Sequence, residues 1–433
     1  MGILEAATQL SETTGRQLMR DGSLLIPQST ERDGVNAVVA VTSAGPPMGV
    51  VIAAVASAVS ARSAMHASRA TYTTILQTVT LDDLAGPPGN DSSWIERQVQ
   101  ALMGINPDLV IIAGGLEDGA QDALVRLAHI VGLTAFSAKV DDEGQQRADI
   151  DRRTVIFAGN SQARDRVIEA LSGRADLRLV DNVRPTLEVE RLEPARQMIA
   201  ALYNEALLPL VPGAAALRRI SQSPITTVCD AIGLITRFIA ERDSRATLVL
   251  DAGSASTAVY LASQGHYSPA ICGGIGTGYG IGGVLAERGL AGIARWLPFP
   301  IGERDLTHWL LNKMLRPQTL PVTREDVLIE HAVAREALAL AMAALRDERG
   351  AAPYDYIVAS GGVLANAPHP GLAALTILDA LQPIADETVH AIELHLDTLG
   401  LIGSCGALAL SNAEAALSLF DHDLSRNAPW RRA

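Results

Sequence analysis

Aromatic residues make up only 4% of this 433-residue chain and cysteines number three, so neither a large aromatic core nor a disulfide framework organises it. Cys229, Cys272 and Cys405 stand far apart among apolar or glycine neighbours, without C-x-x-C or Cys/His spacing for zinc. They read as small buried hydrophobes of a reducing compartment. A basic excess is missing as well. Against 48 Asp and Glu there are 35 Lys and Arg, a net charge of −13, and the C-terminal tail offers only Arg431 and Arg432. That balance argues against nucleic acid as a partner. The nine histidines show no HExxH or paired spacing, and His308 and His331 fall on helical stretches as packing or surface residues. Neither Ser254 nor Ser360 has an evident partner histidine, so no Ser/His/Asp set declares itself.

Two further absences bear on location. The N-terminus, MGILEAATQLSETTGRQ, lacks a basic region followed by an apolar core, so no secretory signal is expected and the expected place is the cytoplasm. Val35 to Ala61 carries no charge, but Gly45-Pro46-Pro47 cuts it into pieces shorter than the roughly 20 residues a membrane span needs. Buried strand–loop–helix packing explains the same composition, and no membrane partner is expected.

What is present is aliphatic. Hydrophobic residues make up 48% of the chain, so the core is built from Ala, Leu, Val and Ile, as suits packed α/β layers. Residues 1–35 read as a helix (Ile3 to Met19) and a loop. Residues 36–220 read as an α/β half. Asn36–Thr42 is a buried-strand candidate, Val50–Ala67 a small-residue helix and Thr71–Val79 a strand. Leu109–Ala113 and Thr154–Ala158 are strands, each closed by a glycine turn (Gly114-Gly115, Gly159-Asn160) and followed by a helix. This is a βαβ rhythm, and ligands of such sheets sit beyond the strands' carboxyl ends. No GxGxxG or P-loop lysine accompanies these turns, so close strand-to-helix packing is the favoured reading of the glycines.

Residues 221–433 hold the stretch around which the chain is organised. Ala246 to Ala262, ATLVLDAGSASTAVYLA, reads as a β-hairpin with a tip of small residues. Asp251 ends the first strand, Gly253 admits close approach, and Ser254, Ser256 and Thr257 add hydroxyls. Free amides in a turn make an anion-binding concavity, and a carboxylate beside it can hold Mg²⁺ through water. An ordinary hairpin with a polar tip is the competing reading. Gly273 to Gly283 is too rich in glycine for a helix interior and suits a ligand-gripping or moving loop. Glu325–Arg346 is the longest helix. Tyr356–Ala359 is a strand running into Ser360-Gly361-Gly362, where bare backbone could accept a base or ribose. Gly403–Leu419 is a closing small-residue helix.

This order of Asp-x-Gly hairpin, glycine loop, long helix, Ser-Gly-Gly turn and closing helix resembles the second half of the ATPase superfamily of actin, heat-shock chaperones and sugar kinases. LVLDAGSASTAVY, INPDLVIIAGGLEDG, VIFAGN, LLNKMLRPQTLP, AVAREALALA and VASGGVLANAPHPGLAALTILDALQP resemble the MutL family, also called GlmL. That family accompanies cobalamin-dependent glutamate (methylaspartate) mutase and is distinct from the mismatch-repair protein sharing the name. The resemblance runs from about Asn36 to the end. It implies an actin-like ATPase (ribonuclease H-like) α/β fold with an additional βαβ layer in the N-terminal half.

By the same resemblance Asp251, Gly253, Ser254, Ser256 and Thr257 would face ATP phosphates and Mg²⁺, and Gly361 and Gly362 would lie against adenosine. The implied role is a nucleotide-binding chaperone or reactivase of the mutase, working by ATP-linked conformational change, with a cobalamin-dependent mutase or another protein subunit as partner and an oligomer as a possible form. Two departures stand out. The family's N-terminal phosphate hairpin is missing, Asp21-Gly22-Ser23 being the nearest fragment, and Ala258 stands where the later hairpin has a second Asp. They leave open a degenerate pseudo-ATPase that serves as an interaction scaffold. A sugar or acid kinase is disfavoured, since no separate base for a hydroxyl is evident.

Overall fold

The computed structural model describes residues 2–29, 33–82, 91–134, 136–137, 151–221, 223–350, 352–381 and 393–423. Two five-stranded sheets carry the chain. The first comprises β1 (Met48–Ala54), β2 (Thr73–Thr80), β3 (Leu109–Gly114), β4 (Thr154–Gly159) and β5 (Asp176–Leu179), in the order β2-β1-β3-β4-β5, all parallel. Every residue of β1 and β3 is buried, as a sheet covered on both faces requires. Alternate side chains serve opposite layers. Val50, Ile52, Leu109, Ile111 and Ile156 pack towards helices Arg62–Ser68 and Glu193–Ala206. Val51, Ala53, Val110, Ile112 and Phe157 pack towards helices Asp122–Thr134 and Arg164–Leu171.

Three sequence expectations change here. Val50–Ala67 is not one helix: its first part is β1, and helical backbone begins only at Ser57. A run of small apolar residues without charge has no periodicity, so a strand buried on both faces looks like a buried helix. Of Asn36–Thr42, only Val41–Thr42 is strand, paired in parallel with Thr226–Thr227. The N-terminal helix ends at Thr14 and buries none of its residues.

The second sheet comprises β6 (Thr247–Ala252), β7 (Ser256–Ser263), β8 (His266–Gly273), β9 (Tyr356–Ser360) and β10 (Glu393–Leu396), in the order β8-β7-β6-β9-β10. Only β7 runs against its neighbours. Helices Val228–Asp243 and Ile402–Ala409 cover one face, and Arg324–Arg349 with Pro370–Leu381 the other. The closing helix is broken after Ala409, and a second helix, Ala413–Asp423, follows. Its small residues serve a helix–helix contact: a Cβ on Gly406 would come within 1.9 Å of Ala231 O. Helices Ile281–Ala294 and Glu303–Leu315 pack on the first half of Arg324–Arg349 in a separate apolar cluster.

The sheets meet at their edges. Ile271 N on β8 donates to Arg69 O at 2.8 Å, and a Cβ on Gly273 would lie 2.3 Å from Thr73 O. Among the described residues no single helix is long and apolar enough to cross a membrane.

Candidate functional site

Strands β6, β9 and β10 end on the same side of the second sheet, and that side carries the polar groups. β6 and β7 form the hairpin that the sequence predicts, with Asp251 paired across to Ala258 and Ala252 to Thr257. At the tip, a Cβ on Gly253 would come within 2.7 Å of Ser256 O, so glycine there closes the turn. The amides of Gly253, Ser254 and Ala255 donate to no acceptor among the described residues.

The glycine-rich segment after β8 lies on this tip. Thr277 N donates to Gly253 O at 3.0 Å, Gly278 N and Gly280 N to Ser254 O at 2.9 Å, and Gly274 N to Ala255 O at 3.1 Å. Tyr279 N reaches Ser254 Oγ at 3.3 Å. The spacing of the glycines follows: a Cβ on Gly278 would meet Ser254 Oγ at 2.2 Å, and one on Gly276 would meet Ser254 O at 2.5 Å. Four amides of the segment expected to grip a ligand or to move are therefore spent on the hairpin's own carbonyls.

β9 runs parallel to β6, with Ser360 beside Asp251. Gly361, at φ +102°, would put a Cβ 2.2 Å from Ala252 O, so its glycine is required by the close passage of two chain segments. Gly362 differs. A Cβ there would meet nothing within 4 Å, its φ is ordinary, and it opens onto a cavity of about 450 Å³. Ser254 and Thr277 line the same cavity from the hairpin side, with Lys313, Glu330, His331 and Asn366 around them. Of the residues singled out in the sequence, Ser254 and Gly362 are brought to one cavity. Asp251, Gly253, Ser256, Thr257 and Gly361 stand behind it and do not line it.

The cavity walls are charged but internally matched. Lys313 pairs with Glu330. His331 is buried, its Nδ1 lies 2.8 Å from Thr376 Oγ1, and burial with Arg335 nearby pushes it down to about 4, so the ring is neutral at pH 7.

Behind the tip Asp251 is joined by a second carboxylate, Asp397, that the sequence does not reveal. Asp397, just past β10, is fully buried. It accepts from Leu401 N at 2.8 Å, Ile402 N at 3.1 Å and Ser360 Oγ at 3.0 Å, capping the closing helix and tying it to the Ser360 turn. Asp251 has no hydrogen-bond partner of its own among the described residues, and burial, with Asp397 nearby, pushes its carboxyl up to about 6. Thr257 is fully buried, and its hydroxyl has no partner among the described residues. No group of three or more metal-ligating side chains occurs among the described residues. A cation here would rest on one carboxylate and on its ligand's own oxygens, as Mg²⁺ in nucleotide sites does.

No curated protein matches the chain. Among solved structures, it is similar to component A of (R)-2-hydroxyglutaryl-CoA dehydratase from Acidaminococcus fermentans, at 15% identity over 47% of this chain and 74% of that one, with a TM-score of 0.27. It is similar to a ROK family protein from Streptococcus pneumoniae in complex with sucrose, at 10% identity over 76% and 89%, with a TM-score of 0.22. Nucleotide-free acetone carboxylase is similar at 11% identity over 89% and 65%, with a TM-score of 0.29. At such scores these likenesses carry no weight for fold or function. The MutL protein family matches residues 1–424, and the chain belongs to that family.

Proposed function

We propose that this protein is a nucleotide-binding accessory subunit of the glutamate mutase type. In this reading its second sheet is an actin-like ATPase half, the cavity beside Gly362 takes the adenosine end of ATP, and the hairpin tip takes the phosphates. One observation carries the reading: Ser254 and Gly362, far apart in sequence, wall one cavity, and neither packing nor backbone conformation requires a glycine at 362. The cavity's volume lies in the usual range for small-molecule sites, roughly 300–1,000 Å³.

The residues fit a Mg-nucleotide. Amides of Gly253, Ser254 and Ala255 would donate to phosphate oxygens, with the hydroxyls of Ser254 and Ser256 beside them. Asp251 would hold a water of the magnesium shell, and the unpartnered Thr257 hydroxyl lies buried one residue behind Ser256. Gly361 sets the turn that leaves Gly362 bare. ATP would supply a phosphoanhydride bond whose cleavage changes the charge at the tip. The chain's part is to bind, to orient and to pass that change along helix Arg324–Arg349. Its partner would be a cobalamin-dependent mutase.

Thermal unfolding tests this directly. A ligand at a hundredfold its Kd adds about 2.7 kcal/mol to stability. Saturating Mg-ATP is expected to raise Tm by several degrees, and Mg²⁺ alone is not. No shift at millimolar Mg-ATP counts against the reading. A second reading, a scaffold that binds no nucleotide, is favoured by Ala258, which faces Asp251 where an acid is expected.

A further inference from the structure

The helix that walls the cavity with Glu330 and His331 runs on for about 24 Å to Asp347. There it meets the layer of the first sheet. His66 Nε2 lies 2.9 Å from Asp347 Oδ2, and His66 Nδ1 lies 3.3 Å from both carboxylate oxygens of Glu190. The imidazole is buried. A neutral ring carries one N–H, so one of its nitrogens would set a lone pair against a carboxylate. Only the imidazolium donates to both sides.

The other charges at this junction are arranged around that ring. On and beside its own helix, Arg62 reaches Asp347 at 3.1 Å and Arg69 at 3.8 Å, and the Ser63 hydroxyl donates to Glu190 at 2.7 Å. Arg184, in the segment before helix Glu193–Ala206, pairs with Glu190 at 2.9 Å. Arg196, on that helix, pairs with Glu348 of the long helix at 2.7 Å. Among the described residues His66 is the one side chain bonded to both Glu190 and Asp347. The seam around it is poorly satisfied: Arg69 Nη1, Arg184 Nε and Arg196 Nε are buried without a hydrogen-bond partner among the described residues. Such atoms would be hydrated if the seam opened, so they favour opening.

We propose that His66 is a proton-operated pin: its imidazolium clamps the end of the cavity-lining helix to the layer of the first sheet, and loss of the proton releases that end. Any consequence for ligand affinity rests on the nucleotide reading above, whereas the pin itself does not. Burial alone would lower the histidine, but its bonds to Glu190 and Asp347 outweigh burial and raise it above its ordinary value. The closed seam is therefore at full strength below about pH 6.5 and weakens as pH rises through the raised value.

Amide hydrogen exchange on the full chain, without nucleotide, tests the pin from about pH 6 to about pH 9, corrected for the intrinsic exchange rate. In the wild type, protection across residues 62–69 and 340–349 is expected to fall at least about tenfold over this range. In Asp347→Asn the fall moves to lower pH. In His66→Gln protection is low and flat throughout. Constant protection in the wild type, or the same pH dependence retained in His66→Gln, overturns the proposal. Should His66→Gln not fold, the displaced midpoint of Asp347→Asn decides. Because no nucleotide is present, failure of the ATP reading leaves this result untouched.

Discussion

Gly361 lies on the main chain of Ala252, so close that a Cβ would come within 2.2 Å of the Ala252 carbonyl oxygen. This contact sets the end of β9 against the hairpin tip and leaves the next residue, Gly362, facing open space. The two glycines stand side by side for different reasons, and substitution separates them. Gly361→Ala forces both a clash and a left-handed backbone, and is expected to cost roughly 2–4 kcal/mol. Gly362→Ala is expected to change stability by less than about 1 kcal/mol. Urea denaturation measures both, and equal losses would contradict this division.

Asp251 has an unfavourable environment in the free protein. Burial, with Asp397 nearby, pushes its carboxyl up to about 6, so ionisation near neutral pH opposes folding. Stability contributed by this group is lowest above about pH 6 and is regained as pH falls towards its ordinary value. Asp251→Asn is expected to stabilise the unliganded chain at pH 8 by on the order of 1–2 kcal/mol and to weaken Mg-ATP binding. Denaturation at pH 8 and pH 4 (about 4 pH units apart) checks it, the gain shrinking at the lower value. A variant less stable than the wild type at pH 8 would show that this carboxylate is held by favourable contacts.

Asp397 joins three pieces: the Ser360 turn, the end of β10 and the first turn of the closing helix. Asp397→Ala removes a cap and leaves the part-buried Leu401 amide and the buried Ile402 amide unpaired, at an expected cost of about 2–4 kcal/mol. Ser360→Ala, which loses one of the three bonds, is expected to cost about 1 kcal/mol. Comparable losses for the two would mean that the serine, not the cap, holds the turn.

Ala258 stands in register opposite Asp251 and is buried. If the tip holds Mg-ATP as proposed, the lack of a second carboxylate at that place is expected to impair orientation of an attacking water more than binding. Steady-state phosphate release is therefore expected to be slow or undetectable in the isolated chain even where Mg-ATP binds. Turnover at an ordinary ATPase rate would contradict this.

Much of the scaffold was legible because it is local. Leu109–Ala113 and Thr154–Ala158 are aliphatic and β-branched runs closed by glycine, and the Ala246–Ala262 hairpin combines two such runs with a small-residue tip. β8 escaped notice: it starts with polar residues and carries Pro269, which an edge strand tolerates where a central one would not. Val50–Ala67 misled because a strand buried on both faces has no alternation to detect. At the site, Gly253, Gly361 and Gly362 drew attention as glycines, but the sequence could not tell the two packing glycines from the one beside the cavity. Asp397 and His66 were invisible for another reason. Each matters through partners distant in sequence, Ser360 in one case, Glu190 and Asp347 in the other, and no local pattern marks such meetings.

In the proposed function the space between Ser254 and Gly362 receives the nucleotide. Calorimetric titration of Mg-ATP into the wild type and into Gly362→Arg, which would fill that space, tests it most directly. Saturable binding in the first and none in the second, with the variant's fold shown intact by circular dichroism, is the predicted result. A flat titration in the wild type, or equal affinity in the variant, would contradict it.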